Sequence, residues 1–150
     1  MKTIFEKSIQ EQFIKRIQNS KEGDQPVWGK MNVYQMLCHN TYWNSWILGK
    51  GEFVYKQEII GKIFGKFALR KMIQDEKPLD KNIPSSPQFK VTREKGDLEM
   101  EKSKWIELIQ SYNEYDNPSF IHDFFGKMSK EQIGHLVYKH TDHHLRQFGL

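Results

Sequence analysis

Two short stretches limit what this chain can fold into more than any others, Met31-Asn32-Val33-Tyr34-Gln35-Met36 and Met128-Ser129-Lys130-Glu131-Gln132-Ile133. In each, a residue able to cap a helix (Asn32, Ser129) is followed three places later by a glutamine that can reach back to the cap's own amide. An apolar residue before each cap can also staple onto one inside the helix. This grammar predicts helices over about 33–48 and about 130–148. Both starts follow an aromatic-Gly-Lys, but the sequences then diverge, so they share capping chemistry rather than a repeat. Ile9, Phe13, Ile14 and Ile17 recur at helical spacing before the breakers of SKEGDQP, and Leu98, Trp105, Leu108, Ile109 and Tyr112 do the same before Asp116-Asn117-Pro118. Strand signals reduce to FKVT at 89–92, too brief to build a sheet. Four amphipathic faces are hidden most simply in an all-α four-helix bundle, expected here as one domain over residues 1–150.

The stretch from about 52 to 90 is an insert between the second and third of these helices. Ile59, Ile60, Ile63, Phe64 and Phe67 form an apolar stripe beside Lys62, Lys66, Arg70 and Lys71, which predicts a short basic amphipathic helix. Pro78, Pro84 and Pro87 then stiffen a connection in which no regular structure is expected over 77–90. An apolar face of this kind needs a cover. A lid or a homodimer contact is expected ahead of an anionic membrane, because the stripe is short.

Composition excludes several classes. Ten Phe and four Trp in a chain that is 37% hydrophobic demand a packed core. Cys38 is the only cysteine, so no internal disulfide forms. The charged start MKTIFEKSIQEQF lacks the apolar run of a signal peptide, which points to the cytoplasm. No stretch is long and apolar enough to span a bilayer. The net charge of +4, from 23 basic and 19 acidic residues, is spread along the chain and gives nucleic acid no obvious footing.

The histidines are the chemistry-bearing feature. At about 100° per residue, a wheel centred on His140 places Ile133 at about 20°, Leu136 at about −40° and His144 at about 40°, so both histidines sit mid-stripe. His143 falls at about −60°, on the edge of the stripe, and His135 points outward. On the second helix His39 lies between Trp46 and Trp43, at about −20° and 40°. A lone histidine on an apolar face is usually a hydrogen-bonded core residue; three inward rings without an acidic neighbour are expensive unless an ion binds them. Two histidines four apart present nitrogens to one point, and a third from a facing helix completes a three-nitrogen set. His39 lies about 10 Å from the start of its helix, and His140 and His144 about 16 and 22 Å along theirs. The rings share a level if these helices are antiparallel and are offset by about 6–12 Å if they are parallel. Cys38 projects elsewhere and is read as helix packing, and His122, in FIHDFFG, as a structural loop residue that can pass over the bundle opening.

"WGKMNVYQMLCH", "FFGKMSKEQIGHLVYKH" and "DHHLRQFG" resemble the DinB-like superfamily, in particular a branch of bacterial proteins without assigned activity. The resemblance covers nearly the whole chain and implies a four-helix bundle in up-down-down-up order, with the second and last helices antiparallel. It further implies a divalent metal, zinc or nickel, held by a histidine of the second helix and the first and last histidines of an HxxHH run. These positions match His39, His140 and His144. The family's characterised members include metal-dependent transferases and isomerases that use small thiols. Asp123 departs from the proline this branch favours after the loop histidine.

An open metal position can lower the pKa of bound water or thiol. Hydrolysis also wants a base beside the metal, yet no carboxylate shares the inward stripes and Asp142 points away, so a metal-assisted thiol transferase acting on a small molecule is the preferred reading. The alternatives are a non-catalytic metal or ligand-binding protein, or a metal-dependent hydrolase. Gln147, one turn past His144, either orients a ligand or caps a carbonyl, with the cap favoured. His143, Gln147 and His122 are thus the candidate supporting residues. Tyr42, Trp43 and Trp46 either line a substrate cavity or fill the core; at helical spacing the core is the commoner fate.

Overall fold

The computed structural model describes residues 1–84 and 86–150, and among these it is helical, without strands. The elements are α1 (Lys7–Gln18), α2 (Val33–Leu48), α3 (Ile59–Met72), α4 (Leu98–Ser111) and α5 (Lys130–Gln147), with single 3-10 turns at Pro87–Phe89 and Tyr112–Glu114. The turn at Pro87–Phe89 is the one piece of regular structure in the connection expected to have none; Ser85, also in that connection, lies outside the described residues. No helix is long and apolar enough to cross a membrane among the described residues.

The helix ends form for the reasons their sequences give. In α2 the Gln35 amide donates to Asn32 Oδ1 at 2.9 Å and the Asn32 amide to Gln35 Oε1 at 3.0 Å. Ser129 and Gln132 make the same reciprocal pair at the start of α5. Each such cap contributes about 1 kcal/mol by satisfying amides that have no partner inside the helix. Gly49, with φ of 70°, takes the left-handed conformation that ends α2 and lets the Lys50 amide return to the Ser45 carbonyl. Asp97 caps α4 through the Met100 amide.

Phe13, Ile17, Met36, Leu37, Ile47, Trp105, Ile109, Tyr112, Val137 and Leu145 are fully buried where α1, α2, α4 and α5 meet. Burial of each large apolar side chain contributes roughly 1.5–3 kcal/mol. Specific contacts fix the pairing. Phe13 stacks on Tyr138 at 5.5 Å, and Arg16 bonds Asp142 at 2.8 Å. Gln10 meets Asn113 at 3.1 Å, and Lys102 donates to the Ser20 carbonyl at 3.1 Å. The Tyr112 hydroxyl donates to Asn44 Oδ1 at 2.8 Å. His135, expected to point outward, is buried instead. The first residues of the chain lie over it, with the Ile4 amide bonded to the Gly134 carbonyl and His135 Nδ1 3.0 Å from the Lys2 carbonyl.

The apolar stripe of the insert is turned outward, so it does not form the expected lid, while the expected homodimer contact stays open. Gly61, Gly65 and Leu69 are the buried residues of α3, whereas Ile59, Ile60, Ile63, Phe64 and Phe67 stay exposed. The reason is steric. The turn at 122–126 brings the Phe124 backbone so close that a Cβ on Gly61 or Gly65 would strike its carbonyl oxygen. The Glu58 amide bonds the Asp123 carbonyl at 2.8 Å, and Gln57 bonds that of Phe124 at 3.0 Å. An apolar stripe of full-sized side chains could not approach so closely.

Gly65→Ala therefore lowers the thermal midpoint. Alanine gains about 1 kcal/mol of helix propensity, but overpacking directly against the Phe124 carbonyl puts the cost at the upper end of the usual range, about 3 kcal/mol, leaving a net loss of about 2 kcal/mol and a fall of roughly 4–8 °C. An unchanged or raised midpoint by calorimetry would contradict this packing.

Candidate metal centre

α2 and α5 bring three imidazoles together. His39, His140 and His144 each offer a ring nitrogen, and these atoms all lie within 4.8 Å of one another. The ring centroids are 5.3 Å apart for His39 and His140, 4.7 Å for His39 and His144, and 4.6 Å for His140 and His144. The i, i+4 spacing puts the two α5 rings one turn apart on one face, and the Asn32 cap fixes where His39 stands opposite them. The triad is close enough to hold one metal ion.

The outer nitrogens define which atoms face inward. His39 Nδ1 lies 3.0 Å from the Phe89 carbonyl, which can only accept, so Nδ1 carries the proton and Nε2 presents a lone pair. His144 Nδ1 lies 2.9 Å from Gln147 Oε1, whose amide nitrogen donates to the Trp28 carbonyl at 2.9 Å. That second bond fixes which way the Gln147 amide points, so His144 Nδ1 also donates and its Nε2 is also free. Gln147 thus does both things open to it, orienting His144 and capping a carbonyl. Trp43 stacks on His140 at 3.8 Å with 12° between the planes, holding the ring without occupying a nitrogen; His140 Nδ1 has no partner among the described residues.

His39 Nε2 and His140 Nε2 stand 3.3 Å apart. Two ligands about 2.05 Å from a tetrahedral ion are separated by about 3.3 Å, so this spacing matches the edge of a zinc-type site. Without an ion, two buried lone pairs at this distance repel unless a proton lies between them.

Electrostatics favours the neutral rings that a metal requires. Burial pushes the His39 pKa below its ordinary 6.5, with the Phe89 carbonyl partly opposing. Burial drives His140 and His144 well below that value, and the neighbouring imidazoles add to it. Burial also lowers the half-buried His143, which sits edge-on to His144 at 5.2 Å and to Trp28 at 5.5 Å.

A cavity of about 550 Å3 opens beside the triad. His39, His140, His143 and His144 line it with Trp43, and His122 joins them from the loop before α5. Of the three aromatics considered for substrate contact, only Trp43 reaches this wall. Trp46 is buried against Phe89 and Phe120, and Tyr42 lies against Phe53 and Phe89, half-exposed beside a different cleft. Cys38 also faces that other cleft, its thiol pushed up in pKa by burial.

Two contributions escaped the sequence. The proline-rich connection supplies much of the apolar wall through Leu79, Ile83, Pro84, Pro87 and Phe89, and the apolar residues between its prolines were the available signal. Carboxylates also come near from outside α2 and α5. Glu58 lines the cavity, and Asp123 lies 2.8 Å from His122 Nδ1 while accepting from Ser86 and Gln88. Burial raises the Asp123 pKa, but the bonds from His122 and Ser86 outweigh it and hold the carboxyl at about 2. Asp123 thus ties the loop to the connection.

A family model described as protein of unknown function (DUF1569) matches residues 52–149, well over half of the chain, and the chain belongs to that family. The match includes His122, His140, His143 and His144, while α2 with His39 lies before it. No curated protein and no solved structure matches significantly.

The lowered imidazole pKa values fix the sign of a pH effect in metal-free protein. A histidine with a folded pKa below 6.5 binds fewer protons folded than unfolded, so stability is full above 6.5 and falls as pH drops toward the folded value. Each such imidazole contributes a slope of up to about 1.4 kcal/mol per pH unit in that window. Asp123 acts lower, between its ordinary 3.8 and about 2. Urea midpoints of chelated protein should fall between pH 7.5 and 5.5, and less so for His39→Gln/His144→Gln; equal slopes would contradict the burial of neutral rings.

Proposed function

We propose that this DUF1569 protein holds one divalent metal ion, zinc or nickel, through His39, His140 and His144 and uses it to activate a small thiol for transfer. The observation that carries the reading is the convergence of three neutral imidazoles from two helices, with 3.3 Å between the His39 and His140 Nε2 atoms. Imidazole nitrogens suit these metals, and three protein ligands are the usual complement of a site that keeps an open position. A divalent ion bound there supplies Lewis acidity that brings a thiol or water pKa toward neutrality.

The chain's own residues do the rest. The Phe89 carbonyl and Gln147 fix two of the imidazoles in the tautomer that leaves Nε2 free, as partners behind metal ligands commonly do. Trp43 holds the third ring by stacking. The apolar walls of the cavity exclude water and favour a small molecule with an apolar body.

The fold reading is a DinB-like four-helix bundle over residues 1–150, with up-down-down-up order. Contacts between Asn44 and Tyr112, Gln10 and Asn113, Ser20 and Lys102, and Phe13 and Tyr138 support that order, as does the opposition of α2 and α5 at the triad. One observation favours a second reading, a metal-dependent hydrolase: Glu58 and His122 stand on the cavity wall, where a base would be needed.

Protein purified without an affinity tag should carry about one zinc or nickel ion per chain, the complement of a single three-histidine site, and His140→Ala should lose it. Full occupancy in a triple alanine variant of His39, His140 and His144 would refute the assignment. Metal-loaded protein should join a low-molecular-weight thiol to a chromogenic electrophile, with no turnover in His140→Ala; ester hydrolysis without thiol transfer would favour the second reading.

A further inference from the structure

We propose that the outward face of α3 is a docking surface for an anionic membrane. Ile59, Ile60, Ile63, Phe64 and Phe67 are between 57% and 77% exposed, and Val54, just before the helix, is 93% exposed. On the helical wheel the five residues span about 140°; Lys66 falls about 20° and Lys62 about 60° beyond one edge of that arc, while Arg70 and Lys71, in the last turn, fall within it. Scattered apolar residues need no explanation on a protein surface, but a contiguous stripe of Ile and Phe marks a face that meets something.

The stripe cannot be buried by rolling the helix over. The opposite face is already committed, since Gly61 and Gly65 accept the Phe124 backbone at a distance no larger residue tolerates, and Leu69 is buried beside them. Charge then selects the partner. α3 carries four cations, Lys62, Lys66, Arg70 and Lys71, and no anion. Of the acidic residues adjoining it, Glu58 lines the cavity on the inner side, and Asp75 and Glu76, just beyond its C-terminal end, are engaged within the chain by Lys139 and by the Lys2 amide. A second copy of this face would therefore meet cations with cations and offer them no counter-charge. An anionic lipid surface satisfies both features, taking the apolar stripe at the level of the acyl boundary while the long Lys and Arg side chains at its edge and in its last turn reach the headgroups.

The helix is 14 residues long, too short to span a bilayer and suited to lying in its plane. Its inner residues Ala68 and Met72 wall the cavity, so a docked α3 brings the cavity within about one helix diameter, roughly 10 Å, of the lipid. The inference is independent of any metal.

The test is sedimentation of the full chain with phosphatidylcholine vesicles, with and without phosphatidylglycerol, at low and high salt, beside its mass in solution. The wild type should bind the anionic vesicles, weaken in high salt and remain a monomer. Phe64→Ser/Phe67→Ser, which keeps every charge, should bind about tenfold more weakly or worse because the apolar contribution is gone. Lys62→Gln/Arg70→Gln should lose roughly tenfold and much of the salt dependence. Circular dichroism identical to wild type shows that these exposed positions leave the fold intact. Failure to bind anionic vesicles at low salt would overturn the proposal. So would equal binding by the Phe64/Phe67 variant, which would mark adsorption by net charge alone, or a wild-type dimer that the same substitutions dissolve, which would make a second copy the occupant.

Discussion

The contact on which the rest of this molecule is organised is the meeting of His39 with His140 and His144 between α2 and α5, at the wall of the cavity. Three imidazoles without an acidic partner are a poor choice for filling a core, because each buried ring nitrogen needs a partner or forfeits the free energy of its lost hydration. The outer nitrogens of His39 and His144 are satisfied by Phe89 and Gln147. The inner ones face each other. A proton on His140 Nε2 relieves the contact with His39 in the metal-free protein, and a shared cation satisfies all three rings at once.

Much else reads as support for this seam. The 3-10 turn at Pro87–Phe89 delivers the Phe89 carbonyl to His39, and the aromatic ring of the same residue packs on Trp46. Gln147, in the last turn of α5, joins His144 to the segment before α2 through the Trp28 carbonyl. The loop carrying His122 closes on itself through reciprocal amide bonds between His122 and Gly126 and is clamped to the connection by Asp123. Elements far apart in sequence thus converge on one pocket, and the chemistry rests on their relative placement more than on any one helix.

The helices were legible because their signals are local. Asn32 with Gln35, and Ser129 with Gln132, are capping pairs within one turn, and they locate His39 and the α5 histidines on their helices before any packing is known. The inward position of His39, His140 and His144 followed from periodicity alone. What the sequence hid depends on contacts between distant segments. His135 is covered by the chain's own first residues, Leu79 and Ile83 reach the cavity from a stretch without periodicity, and Glu58 approaches it from the insert. Which face of α3 turns inward was not legible from its apolar stripe, because closeness to the Phe124 backbone decides it and selects Gly61 and Gly65.

The central claim is that imidazoles from α2 and α5 bind a common ion. X-ray absorption at the zinc edge, on zinc-loaded protein purified without a tag, tests it most directly. The account predicts a first shell of nitrogen or oxygen at about 2.0–2.1 Å, with the outer-ring scattering of about three imidazoles and no sulfur from Cys38. A sulfur shell at about 2.3 Å, or a spectrum without imidazole scattering, would contradict it.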